Sequence, residues 1–328
     1  MSRYDRQIKA SQFGEQGQDN LSKSKFLIIG AGALGSTISE ILARSGAGEI
    51  IICDMDIVSL SNLHRQSLYD ETDVHQYELK VDAVKRHLSR INKEVKVTPI
   101  PEEITSDNLK QLLEKFQPKI VIDGTDNFNT RYVINDICHQ FRIPWIYGAC
   151  LGSKGTVYAI DYSVACLRCL LPDPPDTGEN CSLEGILPQT AHLTASLQVS
   201  EVMKYIAQGR FSNHFITFDS FNMKFKSTEA TFFHNNNCKT CGTHDYPATM
   251  SDTHNVTKMC YGKYSLKLPS NIFYKEIPNT VKSTSLFKII KADHVTVHLL
   301  KDGRIIIYDV YSKAEAKSII SSLFTISV

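Results

Sequence analysis

The sequence predicts an α/β fold, a mainly parallel sheet with helices on both faces, continued by an antiparallel extension. Three observations carry this. Short apolar runs of strand length, "KFLIIG", "EIIIC", "KIVIDG" and "PWIYGA", alternate with stretches whose apolar residues fall at helical spacing, the rhythm of βαβ units. The first run ends in a glycine turn that leads straight into a helical pattern. After residue 150 the rhythm changes, and "SKGTVYAID" alternates as a half-solvated antiparallel strand does.

Taken in order, "KFLIIG" is a strand closing at Gly30, and "STISEILARSG" is a helix that Gly46 terminates. "EIIIC" is the second strand, and "KIVIDG" and "PWIYGA" follow after helical stretches. Residues 171–180, "LPDPPDTGEN", form a Pro/Asp/Gly-rich loop. "PQTAHLTASLQVSEVMKYIA" reads as a long helix, and "HFITFDS" and "KFKSTEATFF" as strands. From Thr243 the chain turns polar, which places a boundary between a domain of residues 1–245 and a small C-terminal α/β module of residues 246–328. In that module "VTVHLLKDGRIIIYDV" is a hairpin around Asp302-Gly303, and "SKAEAKSIISSLF" is an amphipathic helix covering a small sheet. No internal repeat or low-complexity tract is evident.

Composition narrows the function classes. A chain of 328 residues, 42% hydrophobic and 22% charged, can bury a large core. A formal net charge of +1 gives no bulk attraction to nucleic acid or membrane. The start "MSRYDRQIKASQF" is too polar for a secretory signal, and no apolar run reaches the roughly 18 residues of a membrane span. A cytoplasmic protein is expected. Nine cysteines, an odd number without small-scaffold spacing, favour metal ligands, reactive thiols and buried apolar cysteines over disulfides in a reducing compartment.

The first chemical motif is "GAGALG", Gly30 to Gly35, between a strand and a helix. Its glycines let backbone approach a phosphate, and the helix start supplies unpaired N–H donors, so a Rossmann-like nucleotide site is expected. Asp54, after the second strand, stands where a carboxylate meets ribose hydroxyls. Beyond it, "DMDIVSLSNLHRQ" carries Asp54, Asp56, Asn62, Arg65 and Gln66, and "DGTDN" carries Asp123 and Asp126. Hydride transfer has no need of so many fixed charges. A triphosphate requires cations for its oxygens, and its magnesium requires a carboxylate.

These segments, with "RYDRQI", "CLRC", "CSLEGILP" and "CKTCG", occur in the order seen in the MoeB/ThiF/HesA family, and over residues 1–245 the chain resembles its bacterial ubiquitin-activating-enzyme-like adenylyltransferases. The resemblance implies ATP-dependent adenylation of the C-terminal glycine, within a Gly-Gly tail, of a small ubiquitin-like sulfur carrier of the molybdopterin or thiamine type. Pyrophosphate leaves, and the acyl-adenylate is open to a sulfur nucleophile. By the resemblance, Gly30, Gly32, Ala33 and Gly35 form the phosphate loop and Asp54 meets the ribose. Asn62 and Arg65, with Gln66 and Asp56 beside them, clamp the triphosphate. Asp126 is the magnesium ligand, with Asp123 or Asp56 next in line, and Arg6 reaches the neighbouring subunit's ATP, which implies a homodimer. The family's lysine follows a "G-x-x-K" segment; here Lys80 comes from "HQYELK", without that glycine and about two residues further from Arg65, so the loop must absorb extra length.

Cys166, Cys169, Cys238 and Cys241 supply four thiolates, enough for a closed structural zinc site. In the family such a site pins the segment after the sheet to the last strands. Cys181 stands where some relatives carry a reactive cysteine that bonds to the carrier, while others complete adenylation without it; a thiol nucleophile needs a cation that lowers its pKa, which the sequence does not show, so functional and incidental readings both stand. Cys53, Cys138 and Cys150 are expected in the core. Cys260 is not part of a rhodanese domain, which needs well over 100 residues (roughly) where about 70 remain. The neutral charge and paired cysteines set the chain apart from relatives that dehydrate a tRNA nucleoside or adenylate a peptide antibiotic. Two alternatives stand beside the enzyme: a catalytically silent partner subunit, which should have lost Arg65 or Asp126, and an NAD-dependent oxidoreductase.

Overall fold

A computed structural model of the chain describes residues 3–172, 185–250, 257–259, 263–285, 287–292, 294–301, 303–310 and 312–324. They fall into two compact units, one ending at Met250 and the other formed by the described residues from 257 onward.

In the first unit β1 (Lys25–Ile29), β2 (Glu49–Cys53), β3 (Lys96–Ile100), β4 (Ile120–Asp123) and β5 (Trp145–Leu151) pair in parallel, in the order β3-β2-β1-β4-β5. The strands β6 (Lys154–Ile160), β7 (His214–Asp219) and β8 (Lys224–Glu229) then extend the sheet antiparallel to eight strands. The helices are α1 (Asp5–Ile8), α2 (Gly14–Lys23), α3 (Ala33–Ser45), α4 (Glu71–His75), α5 (Lys80–Ile91), α6 (Ser106–Phe116), α7 (Phe128–Phe141), α8 (Leu167–Leu170) and α9 (Pro188–Gln208).

Alternation along the central strands feeds both faces. Leu27, Ile29, Ile51, Cys53 and Val121 join the side chains of α6 and α7 in one core, while α9 packs on α3, α2, β5 and β6. Local chemistry sets the helix ends. Thr105 and Asn108 form a capping box on α6, Asn127 caps α7 by accepting from Thr130 N–H, and Pro188 opens α9. Gly46 ends α3 in the left-handed conformation, as its sequence predicts. The strand order reverses between β1 and β4, so their carboxyl ends flank a crevice, where open parallel sheets bind ligands.

The second unit is a six-stranded antiparallel sheet, ordered β11 (Thr280–Ser283), β12 (Phe287–Ala292), β13 (Val295–Leu300), β14 (Arg304–Tyr308), β10 (Lys263–Lys267) and β9 (Thr257–Met259). Ile290, Val297, Leu299, Ile305 and Ile307 meet Ala316, Ile320 and Phe324 of α10 (Lys313–Phe324) in its core. The expected hairpin is present as β13 and β14; Asp302 of its turn lies outside the described residues. No helix among the described residues is long and apolar enough to cross a membrane.

Candidate functional site

The glycine turn is fixed by close approach. Gly30 has φ 91°, and a Cβ there would lie 2.6 Å from the Gly124 carbonyl oxygen. A Cβ on Gly35 would lie 1.8 Å from the Gly30 oxygen. The turns after β1 and β4 therefore pack backbone on backbone, tied by Gly124 N–H to the Ile29 carbonyl at 2.7 Å. Gly32 differs. A Cβ there would make only ordinary van der Waals contact, with the Gln66 amide nitrogen and the Gly124 oxygen, both 3.9 Å away, at the start of α3, where a helix leaves N–H donors without intrahelical partners.

Asp54 shapes this turn. One carboxylate oxygen accepts from Ala31 N–H at 2.7 Å and the other from Asp56 N–H at 2.7 Å. Burial raises its pKa against the pull of Lys80, and the neighbouring Asp56 charge adds to the rise. Tyr69, outside every sequence motif singled out, donates its hydroxyl to the Ala31 carbonyl at 2.7 Å and holds the loop from the other side.

Asn62, Arg65 and Gln66 are all buried around a short 3-10 turn, Leu60–Asn62. Asn62 Oδ1 accepts from Ser59 Oγ at 2.8 Å, and an Arg65 guanidinium nitrogen donates to the Ser61 carbonyl at 2.9 Å. Gln66 Oε1 is buried with no hydrogen-bond partner among the described residues. Such an orphaned atom, on a side chain whose amide nitrogen approaches Gly32, is one that a polar ligand can complete.

Lys80 reaches the same crevice despite the altered loop. It begins α5, and its ammonium lies 2.8 Å from Asp56 Oδ2 with both side chains nearly inaccessible. Burial disfavours its charge, but Asp56, Asp54 and Asp126 outweigh burial and hold its pKa above the ordinary lysine value. Between Arg65 and Lys80 the chain forms α4, where Asp70 and Asp73 make a capping box, and Val58 N–H bonds the Glu78 carbonyl at 2.9 Å. Tyr77, three residues before Lys80, adopts φ 48°, in the left-handed region that glycine enters without steric cost.

At the end of β4, Asp123 and Asp126 part company. Asp123 is wholly buried; it accepts from Thr125 N–H at 2.9 Å and from Arg131 at 2.9 Å. Asp56 Oδ2 accepts from Lys80, so both Asp123 and Asp56 already serve hydrogen-bonded ion pairs. Asp126 is exposed and lies in the field of Lys80 and Arg131, a hard oxygen donor of the kind magnesium takes. Cys150 is corrected: it is half-buried rather than in the core, in the field of Arg131, Asp123, Arg65 and Asp126, and burial pushes its thiol up to about 12. Cys53 and Cys138 are buried as expected. Arg6 is exposed on α1, and Cys181 and Cys260 lie outside the described residues.

Cys166, Cys169, Cys238 and Cys241 converge. Their sulfurs lie within 4.8 Å of one another, with separations of 3.5 Å for 166–238, 4.0 Å for 166–169 and 3.3 Å for 169–241. These exceed a disulfide bond and bracket the edge of about 3.8 Å in a tetrahedron with metal–sulfur bonds of about 2.3 Å. The cluster can hold one metal ion. Behind it runs a buried polar network that the sequence reading missed. Asn135 Oδ1 accepts from Leu167 N–H at 3.0 Å, Asn135 Nδ2 and Arg168 both donate to Thr240 Oγ1, and Asp136 takes Thr240, Arg168 and the Ala248 N–H.

The model of the ThiF family matches residues 4–240. The chain belongs to the ThiF family. Among curated ThiF-family relatives, the sulfur carrier protein ThiS adenylyltransferase of Bacillus subtilis is 32% identical over 97% of this chain and 97% of its own length. The sulfur carrier protein adenylyltransferase of Thermus thermophilus is 31% identical over 74% of this chain and 91% of its own. The adenylyltransferase and sulfurtransferase MOCS3 of Culex quinquefasciatus is 38% identical over 69% of this chain, which spans only 52% of that protein. Among solved structures, Escherichia coli MccB with ATP aligns over 74% of this chain and 75% of its own, with a TM-score of 0.61 and 26% identity.

Proposed function

We propose that this ThiF-family chain adenylates the C-terminal glycine of a small ubiquitin-like sulfur carrier, of the type that ThiS represents. The observation that carries this is the match to the ThiS adenylyltransferase over 97% of both chains, second unit included. A carboxylate oxygen of the carrier's Gly-Gly tail attacks the α-phosphorus of ATP, the bond to pyrophosphate breaks, and an acyl-adenylate forms. The glycine turn of Gly30, Gly32, Ala33 and Gly35, with no tight contact at Gly32, and the orphaned Gln66 oxygen support nucleotide binding there. Asp54 meets the ribose. Asn62, Arg65 and Lys80 neutralise the phosphate oxygens, Asp56 keeping Lys80 charged, and Asp126 would hold magnesium, which supplies charge neutralisation to the leaving group. Cys181 is the candidate thiol for a later covalent step, and the four-cysteine cluster is a structural zinc site.

The protein acts as a cytoplasmic homodimer in which Arg6 completes the partner's site. The β7–β8 edge and the 3-10 turn Ala230–Phe233 that follows it support docking of a protein substrate: Phe221, Met223 and Phe232 are each at least 75% exposed, and Phe225 is 58% exposed on an otherwise solvated edge strand. The presence of Arg65 and Asp126 argues against a silent partner subunit. The test is pyrophosphate exchange into ATP with purified carriers of the thiamine and molybdopterin types. Exchange dependent on the thiamine-type carrier is expected, exchange with the molybdopterin-type carrier alone would reassign the partner, and exchange with neither would sink the adenylation reading.

A further inference from the structure

Arg131 belongs to none of the nucleotide motifs, yet its side chain joins two strand ends. Its Nε donates to Asp123 Oδ2 at 2.9 Å, and one terminal nitrogen donates to the Thr125 carbonyl at 2.7 Å and the Gly148 carbonyl at 3.0 Å. The side chain is 5% exposed, and the rings of Phe128 and Tyr147 flank it at 5.0 and 5.2 Å. A buried guanidinium needs acceptors for its N–H groups, and here a carboxylate and two backbone carbonyls supply them.

The Thr125 carbonyl belongs to the peptide unit that leads into Asp126. Asp123 grips the same residue from the other side, accepting from Thr125 N–H at 2.9 Å and Thr125 Oγ1 at 2.7 Å. The peptide before Asp126 therefore cannot rotate without breaking the Arg131 bond, and Gly148 ties that bond to β5. A lysine would keep the charge, but it lacks the planar fork that spans all three acceptors.

We propose that Arg131 is a positioning residue for adenylation, which holds the Thr125–Asp126 peptide against β5 and so sets the direction of the Asp126 carboxylate. This rests on the reading of Asp126 as the magnesium ligand. The experiment compares wild type, Arg131→Lys, Asp126→Ala and the double variant by pyrophosphate exchange and by calorimetric ATP binding with and without Mn2+ as the magnesium probe. In Arg131→Lys, exchange should fall on the order of 100-fold, the cost of a small misplacement of a reacting group. ATP binding without metal should stay within about threefold of wild type, while the affinity that Mn2+ adds is largely lost. In the Asp126→Ala background the same substitution should change neither quantity by more than about twofold, because the carboxylate it aims is gone.

Retention of the Mn2+ contribution and the exchange rate in Arg131→Lys overturns the proposal, as does an undiminished effect in the Asp126→Ala background. Wild-type behaviour of Asp126→Ala alone removes the underlying reading instead, and the positioning role with it. Where Arg131→Lys does not fold, the neutral pair Asp123→Asn/Arg131→Gln takes its place, since it leaves no unpaired buried charge. Failure of both to fold assigns Arg131 to the scaffold alone and overturns the proposal.

Discussion

Tyr77 carries a left-handed φ of 48° at the third position before Lys80, where the family resemblance leads one to expect glycine. For a residue with a Cβ this conformation costs about 1–2 kcal/mol. At an ordinary position alanine is more stabilising than glycine; at Tyr77 the order should reverse. Tyr77→Gly is expected to exceed Tyr77→Ala in stability by about 1 kcal/mol in urea denaturation, both variants having lost the same side chain. A more stable alanine variant would mean that the turn is not held in this conformation. Lys80 was named from sequence by its place after Arg65 even without the glycine, and the structure sets its ammonium against Asp56. Arg131 was not, because its meaning depends on the Gly148 carbonyl, a contact 17 residues away that no local pattern encodes.

The helix α7 joins the two sites along one element. Asn127 and Arg131 serve its amino end beside Asp126, Asn135 and Asp136 hold the segment after Cys238, and His139 packs against Tyr162 with its Nδ1 2.9 Å from the Tyr246 hydroxyl. Cys166→Ser should therefore lower metal content and melting temperature together, with exchange activity falling as the segment loosens. Protein purified without chelator and carrying far less than one zinc per chain would contradict the zinc assignment. His139 gives a pH dependence. Burial, helped by Arg142 and His244, lowers its pKa from the ordinary histidine value of about 6.5 to about 4, so the unfolded chain binds the extra proton first. Its contribution is full above about pH 6.5 and is lost as the pH falls through about 4. The drop in melting temperature between those limits should be smaller in His139→Gln than in wild type; an equal drop would place the acid sensitivity elsewhere, for instance in the thiolates. Long periodic elements such as α9 were read directly from sequence. The short α1 and α2 and the strand β3, which is only partly buried and contains Pro99, were not, since their apolar signal is weak and their pairing is set by the neighbouring strand.

At the scale of the whole molecule, the parallel sheet with its antiparallel extension and the convergence of distant cysteines followed from sequence, because each rests on a strong local signal, whereas the strand order is set by pairing between distant segments. Completion of the site by a second chain is a different kind of claim, since Arg6 is exposed on a four-residue helix ahead of the first strand. If it acts across a homodimer, it resembles an arginine supplied in trans, which is worth about 10³–10⁵ in rate in phosphoryl-transfer enzymes. Arg6→Ala and Asp126→Ala homodimers should then each be nearly inactive. When the two are mixed with free exchange of subunits, about half of the dimers pair one variant with the other, by simple combination of independent chains. In such a dimer one site unites the intact Asp126 of the first chain with the intact Arg6 of the second, and the other site lacks both. Activity should recover to about a quarter of wild type, because half of the dimers hold one working site of two. Native mass spectrometry establishes that mixed dimers have formed. If they have and exchange activity stays at the level of the separate variants, Arg6 acts within its own subunit or only on structure, and the shared site is refuted.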